Sequence, residues 1–277
     1  MAMYIQTNFS ALSAQKNLST NQAALNSSFQ KLSSGYRINT AADDAAGLAI
    51  SENMKSDIRA YNVAERNAMD GVSMAQTAEG ALGEIHGIMG RMKELAVQSS
   101  NGSLGSSDRA YLQTEFAELQ GEITRIQGAA TFNGKSLIGA GAAVPVKFQV
   151  GIGTATTDSV TVNFDNVDLS GVATTISLTG ADETNAYASI TALDTAIDQV
   201  STGRARFGAA MNRLEVSSST VQTMRLNLSA ANSRIRDVDV ATEAANMSRN
   251  QVLTQAGVSV LSQANQLPQM AFGLLRG

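Results

Sequence analysis

The 277-residue chain is 43% hydrophobic but only 16% charged and 5% aromatic, with no Cys, no Trp, two Pro and one His. Its formal net charge of −4 argues against nucleic-acid partners, which require basic patches to displace counterions. The missing cysteines and the lone His86 exclude disulfides, thiolate catalysis, Cys-ligated zinc and paired-His metal motifs, so neither a metal nor any other cofactor is expected.

Residues 1–34 carry only two charges, Lys16 and Lys31. Ile5, Phe9 and Leu12, then Leu25, Phe29 and Leu32, follow three- and four-residue steps around a more polar patch, which predicts an amphipathic helix. No cleavable signal is legible, because no compact apolar run is followed by a small-residue cleavage pattern.

The strongest periodicity lies between 44 and 100. Met54, Tyr61, Ala68, Ala75, Leu82, Met89 and Ala96 occupy successive heptad positions, and Ile50, Ala64, Ala78, Ile85 and Met92 fill much of the companion seam. A helix of about 55 residues would be roughly 80 Å long. Gly71, Gly80, Gly83, Gly87 and Gly90 each weaken it by roughly 1 kcal/mol relative to Ala, so it needs packed neighbours. Asp43 and Asp44 stand at its start. Adjacent helix residues do not face each other, so they read as capping and dipole-complementing groups, not as a catalytic carboxylate pair.

The loop SSNGSLGSSD ends at Asp108, a candidate N-cap, and Leu112, Phe116, Leu119, Ile123, Ile126 and Ala130 predict a shorter helix after it. Between 133 and 182 the period changes to two. Val144, Val146, Phe148 and Val150 alternate, as do Val160, Val162 and Phe164, then Ile176 and Leu178, among Gly and Asn–Gly turn signals. The glycines at Gly151 and Gly153 read as a turn, since no helix follows as a phosphate loop would require.

From Ile190 to Leu228 the 3,4 spacing returns for about 40 residues. Arg204, Ser218 and Arg225 intrude on that stripe, either as interface positions that need partners or as side chains snorkelling at the bundle edge. The last 28 residues carry only Arg276, and Leu253, Gly257, Val260, Ala264, Leu267, Ala271 and Leu274 alternate strictly by four and three. The polar residues and Pro268 in that stretch argue against a membrane span. The predicted fold is mainly α: a long antiparallel coiled-coil-like helical bundle with a small β-hairpin insert.

Two terminal helices with almost no charged face make poor monomers, and the sequence predicts that they order only against neighbours. A face of Gln, Asn and Ser can pack on every side without burying charge. That suits a subunit in a close-packed array, where a heterologous repeating contact gives a filament.

The segment LSSGYRINTAADDAAGLAI, from Leu32 to Ile50, closely resembles the start of bacterial flagellins. The similarity continues through ELAVQSSNG (Glu94 to Gly102), TFNGKSL (Thr131 to Leu137), SAANSRIRDVDVATEAANMSR (Ser229 to Arg249) and QAGVSVLSQANQLPQMAFGLL (Gln255 to Leu275). It implies a structural, non-catalytic subunit of the flagellar filament. Residues 1–42 and 236–277 would pair as helices of the filament's inner core, with Ile5, Phe9, Leu12, Leu253, Val260, Leu267 and Leu274 as core polymerisation residues. Residues 43–235, including the β-hairpin region 133–182, would form the second shell. With only a short insert between the later core helices, the resemblance implies a short form without an outer domain and a thin, smooth filament.

It also implies export in unfolded form by the flagellar type III apparatus, a chaperone on the C-terminal segment, and addition at the tip beneath a cap protein. The product would be secreted and extracellular, with hook-junction proteins among its neighbours and no membrane insertion. Arg91, Leu95 and Glu115 match the family's pattern for the host flagellin-sensing Toll-like receptor, a surface that also lies between protofilaments. Thr154, Thr156 and Thr157 are candidates for the O-linked sugars some flagellins carry. The alternative is a hook–filament junction adaptor, whose ends resemble flagellins more distantly.

Overall fold

The structure, a computed structural model, describes residues 7–139, 144–164, 167, 169, 171–172, 176–180 and 183–276, with side-chain packing described to residue 266. Among the described residues five long helices dominate: α1 (Phe9–Ser34), α2 (Ala45–Ser99), α3 (Ser106–Ala129), α4 (Thr184–Arg236) and α5 (Val240–Arg276). Between α3 and α4 lie two antiparallel strand pairs, β1 (Thr131–Phe132) with β2 (Lys135–Ser136), and β3 (Val144–Gln149) with β4 (Ser159–Phe164). The mainly helical bundle with a small β insert is thus the observed fold. The chain separates into two compact units, Met1–Ser56 with Asn227–Gly277 and Asp57–Leu226. Both boundaries fall inside long helices, α2 and α4.

In the first unit α1 and α5 pack antiparallel. The Asn8 amide caps α1 by accepting from the Ala11 N–H (3.1 Å) and donates to the Ala264 carbonyl (2.7 Å). At the other end Gly35, in the left-handed conformation (φ 76°), closes α1 with its N–H on Lys31, and its carbonyl accepts from the Val238 N–H at 3.0 Å. The inward face of α1 is Ala11, Ala14, Leu18, Asn21, Leu25, Ser28 and Leu32, a 3,4 repeat of small, polar and aliphatic residues. The inward face of α5 includes Thr254, Gly257, Leu261 and Ala264. A Cβ on Gly257 would stand 3.3 Å from Leu18 Cδ1, so the two helices approach closely there.

The turns of this unit are fastened by backbone and carboxylate. The Arg37 N–H donates to the Arg236 carbonyl and its guanidinium to the Ile235 carbonyl (2.7 Å), while Arg236 lies over the Tyr36 ring and pairs with Glu52. Asp44 accepts from the Gly47 N–H (2.9 Å) and caps α2, as its position predicts. Asp43 does not cap the helix. It accepts from the Thr40 N–H, the Asn39 N–H and the Thr40 hydroxyl, so it closes the preceding turn.

In the second unit the heptad seam of α2 is half-buried at Tyr61 and buried from Ala64 through Ala96; in the first unit, nearer the helix start, Met54 is half-buried and Ile50 exposed. α4 is longer than the 40 residues its periodicity marks, and every position of its stripe, Ile190 through Leu228, is buried or half-buried. Both arginines on that stripe have partners. Arg204 donates twice to Glu79 (2.7 and 3.0 Å), and Arg225 pairs with Glu65 (3.1 Å). With Lys93–Asp194, these rungs stand two heptads apart on α2 and set an antiparallel register with α4. Phe164 of β4 stacks on Phe207 of α4, with centroids 5.3 Å apart.

Three local expectations change. α3 begins at Ser106 with Gly105 as its N-cap; Asp108 sits at the third helical position and accepts from the Gly105 N–H (3.0 Å), so it secures the helix start from inside. The β-region opens at Thr131, on an Asn133–Gly134 turn whose φ angles are both positive (49° and 76°). Ile176 and Leu178 are irregular backbone, not a strand. The Gln113 side chain accepts from the Leu178 N–H (2.6 Å), and Gln120 donates to the Val172 and Ile176 carbonyls, so helix side chains occupy the groups a strand partner would need.

Candidate assembly surface

Pairing α1 with α5 leaves much of their apolar surface uncovered. Phe9 is 63% exposed, and Leu12, Phe29, Val252, Leu253, Val258 and Val260 are each more than two-fifths exposed, while full burial within the pair is limited to Ala14, Ser28 and Ala264 among the described residues. The reason is in the heptad positions. Gly257 and Ala264 take the seam facing α1, so Leu253 and Val260, the intervening positions of the predicted stripe, lie on its outer flank. Phe9 and Leu12 stand outside the α1 seam in the same way, beside a shallow hollow shared with Ser13, Gln15, Lys16 and Ser19. The predicted stripe therefore splits into an internal seam and an outward apolar flank. These seven side chains are already about half covered, so burying the rest against further copies is worth roughly 6–12 kcal/mol at about 1.5–3 kcal/mol per whole side chain. Ile5 lies outside the described residues; Leu267 and Leu274 fall on α5 beyond the described side chains.

Arg91 and Glu115 meet across α2 and α3 at 2.8 Å, and Arg91 also bonds Glu94 at 2.9 Å. The hydrogen bond to Glu115, then that to Glu94, raises the arginine pKa above its ordinary value. The pair is half-exposed and reaches solvent, where such bridges contribute little to stability and remain available to a partner. Leu95 is 1% exposed and belongs to the core beneath.

Sequence reasoning did not single out Arg109, whose side chain is buried. It donates to the Ser99 carbonyl (3.0 Å) and the Asn101 carbonyl (3.4 Å) at the end of α2, with Glu183 at 3.7 Å. A cation there complements the α2 dipole and satisfies carbonyls the helix leaves unpaired. A charge three residues into a helix carries no periodic signature, so only the fold reveals it. Among the described residues the half-buried His86 has no hydrogen-bond partner for its Nδ1, and no cluster of three potential metal ligands occurs. Thr154, Thr156 and Thr157 are all exposed, as a modification site requires. No described helix is long and apolar enough to cross a membrane.

Residues 5–142 match the bacterial flagellin N-terminal helical region, and residues 190–275 match the bacterial flagellin C-terminal helical region. A flagellin of Halalkalibacterium halodurans is 44% identical over 99% of this chain and all of its own length. The flagellar filament 33 kDa core protein of Treponema phagedenis is 39% identical over the same shares of both chains. A putative flagellar hook-associated protein from Vibrio parahaemolyticus shares the fold, with a TM-score of 0.59 over 70% of this chain and all of that one, at 15% identity. The chain belongs to the bacterial flagellin family.

Proposed function

We propose that the chain is a structural subunit that polymerises into the bacterial flagellar filament used for swimming, with 1–42 and 236–277 in its inner core and 43–235 in the shell around it. The uncovered apolar flank of α1 and α5, on helices nearly free of charge, carries this reading. Such a surface is costly in water and has a purpose only where further copies cover it. Full-length identity to flagellins favours the filament over a junction adaptor, since likeness to the hook-associated protein extends to the fold alone. Export in unfolded form, a chaperone on the C-terminal segment and cap-directed addition at the tip fit ends that complete their burial only on assembly. The subunit then works outside the cell.

Replacing Leu253 and Val260 together by Gln keeps the helical spacing and removes the outward flank. We expect this variant to keep its helix content and lose extension of filament seeds; normal extension would contradict the reading.

The exposed Arg91–Glu115 pair, with Leu95 holding the helix beneath it, is also proposed to meet the host flagellin-sensing Toll-like receptor. Monomeric protein should activate receptor-reporter cells, and Arg91→Ala with Glu115→Ala should abolish most of that response. A silent wild-type protein at saturating dose would remove this part of the reading.

A further inference from the structure

Two Asn–Gly pairs occur in the chain, Asn101–Gly102 between α2 and α3 and Asn133–Gly134 between β1 and β2, and all four residues are exposed. An Asn followed by Gly is prone to intramolecular imide formation, because glycine has no side chain to keep its nitrogen from the preceding side-chain amide. The structure holds the two pairs differently. Asn101 is folded onto its own backbone: its Oδ1 accepts from the Ser103 N–H (3.1 Å) and its main-chain carbonyl from the Leu104 N–H (3.2 Å). The ring closed by the first of these bonds contains both Cγ of Asn101 and the nitrogen of Gly102, so the amide carbon is turned back over the peptide that follows it. The same Ser103 N–H polarises the side-chain carbonyl and stands where it stabilises an oxyanion on Oδ1. Open space surrounds the place of a Cβ on Gly102, and its N–H donates to no acceptor among the described residues.

Asn133 stands at φ 49° and Gly134 at φ 76°, in a two-residue turn latched by the Thr131–Ser136 and Phe132–Lys135 pairings. Bringing its amide carbon to the Gly134 nitrogen requires turning backbone that the hairpin fixes. From this contrast we propose that Asn101 is a site of spontaneous deamidation and isoaspartate formation, with water as the co-reactant, and that Asn133 is protected. The Gly102 nitrogen attacks Cγ of Asn101 and the new C–N bond closes a cyclic imide. The bond from Cγ to the side-chain nitrogen breaks, and ammonia leaves with the Gly102 proton. Water then adds its hydroxyl to either ring carbonyl and its proton to the ring nitrogen, which opens the ring to aspartate or isoaspartate. Either product puts a carboxylate just past the end of α2, where the helix dipole disfavours it. The isoaspartate route also adds a methylene to the main chain. That displaces the Asn101 carbonyl from the Leu104 N–H and from the buried Arg109, whose guanidinium reaches it at 3.4 Å. Ageing at this one residue therefore loosens the joint between α2 and α3.

The test is peptide mapping of the full-length chain, held in neutral buffer and sampled over weeks. Trypsin releases the two pairs on separate fragments, Glu94–Arg109 and Ile126–Lys135, each with a single Asn. Digestion at mildly acidic pH, with a zero-time sample subtracted, removes conversion that occurs during work-up. The Glu94–Arg109 fragment should gain the mass of one deamidation and split into aspartate and isoaspartate forms on chromatography. It should do so about tenfold faster than Ile126–Lys135, equivalent to about 1.4 kcal/mol in barrier. In guanidinium chloride, where neither turn survives, the two rates should converge. An unchanged Glu94–Arg109 fragment in the folded chain, equal or reversed rates there, or a ratio that persists in denaturant would overturn the proposal.

Discussion

Gly71 and Gly203 are close-approach positions of the long helices in the second unit. A Cβ on Gly203 would lie 2.8 Å from Val167 Cγ2 and 3.2 Å from Leu82 Cδ1, and one on Gly71 would lie 2.9 Å from Leu214 Cδ1. Gly80, Gly83, Gly87 and Gly90 face open space. Composition alone counts each glycine of α2 as a weak point, whereas packing divides them into close-approach and free positions. Gly203→Ala should therefore destabilise the monomer by about 1–3 kcal/mol through overpacking. Gly87→Ala should stabilise it by about 0.5–1 kcal/mol through helix propensity. Chemical denaturation of both variants decides the matter, and changes of the same sign would contradict the packing.

Whole elements were far more legible than their ends. α2 and α4 show in the sequence because seams such as Leu82, Ile85, Met89 and Met92 are buried against one continuous core, which imposes the heptad. The terminal helices show too, but which of their apolar residues face inward did not. Leu253 and Gly257 belong to one 4,3 pattern, and only the position of α1 reveals that Gly257 takes the seam. Asp108, Asp43 and the 176–178 segment were misplaced for a related reason, since side-chain hydrogen bonds to backbone leave no periodicity. Asp43 and Asp239 give the terminal unit an acid dependence. Asp43 has its pKa lowered by the Thr40 N–H first, then the Asn39 N–H and the Thr40 hydroxyl; Asp239 has its own lowered by the Thr242 hydroxyl, then the Thr242 and Ala241 N–H groups. A depressed folded pKa means that the stabilisation is complete above the ordinary aspartate value of about 4 and is lost as pH falls through the folded values. Melting of the turns around 39–43 and 239–242 should therefore set in earlier as the solution is acidified. Asp43→Asn with Asp239→Asn should flatten that dependence in amide titrations by NMR, and an unchanged acid profile would show that other groups control it.

At the scale of the molecule, the two units finish their burial to different degrees. Residues 57–226 enclose a continuous core with Phe116, Phe164, Leu82 and Ile123 fully buried, and three ionic rungs mark their α2–α4 register. The terminal unit joins α1 to α5 through a seam of small, polar and leucine residues and leaves Phe9, Leu12, Phe29, Leu253 and Val260 outside it. The sequence predicts ends that order only against neighbours; in the structure they order against each other, and the surface left over is the one further copies would cover. Amide hydrogen exchange of the wild-type chain, measured as monomer and again after extension of filament seeds, tests this most directly. The expected result is strong protection of α2 and α4 within 57–226 in both states, with weak protection of α1 and α5 in the monomer rising sharply in the filament. Terminal helices already as protected in the monomer as the core, or a chain that never extends the seeds, would contradict it.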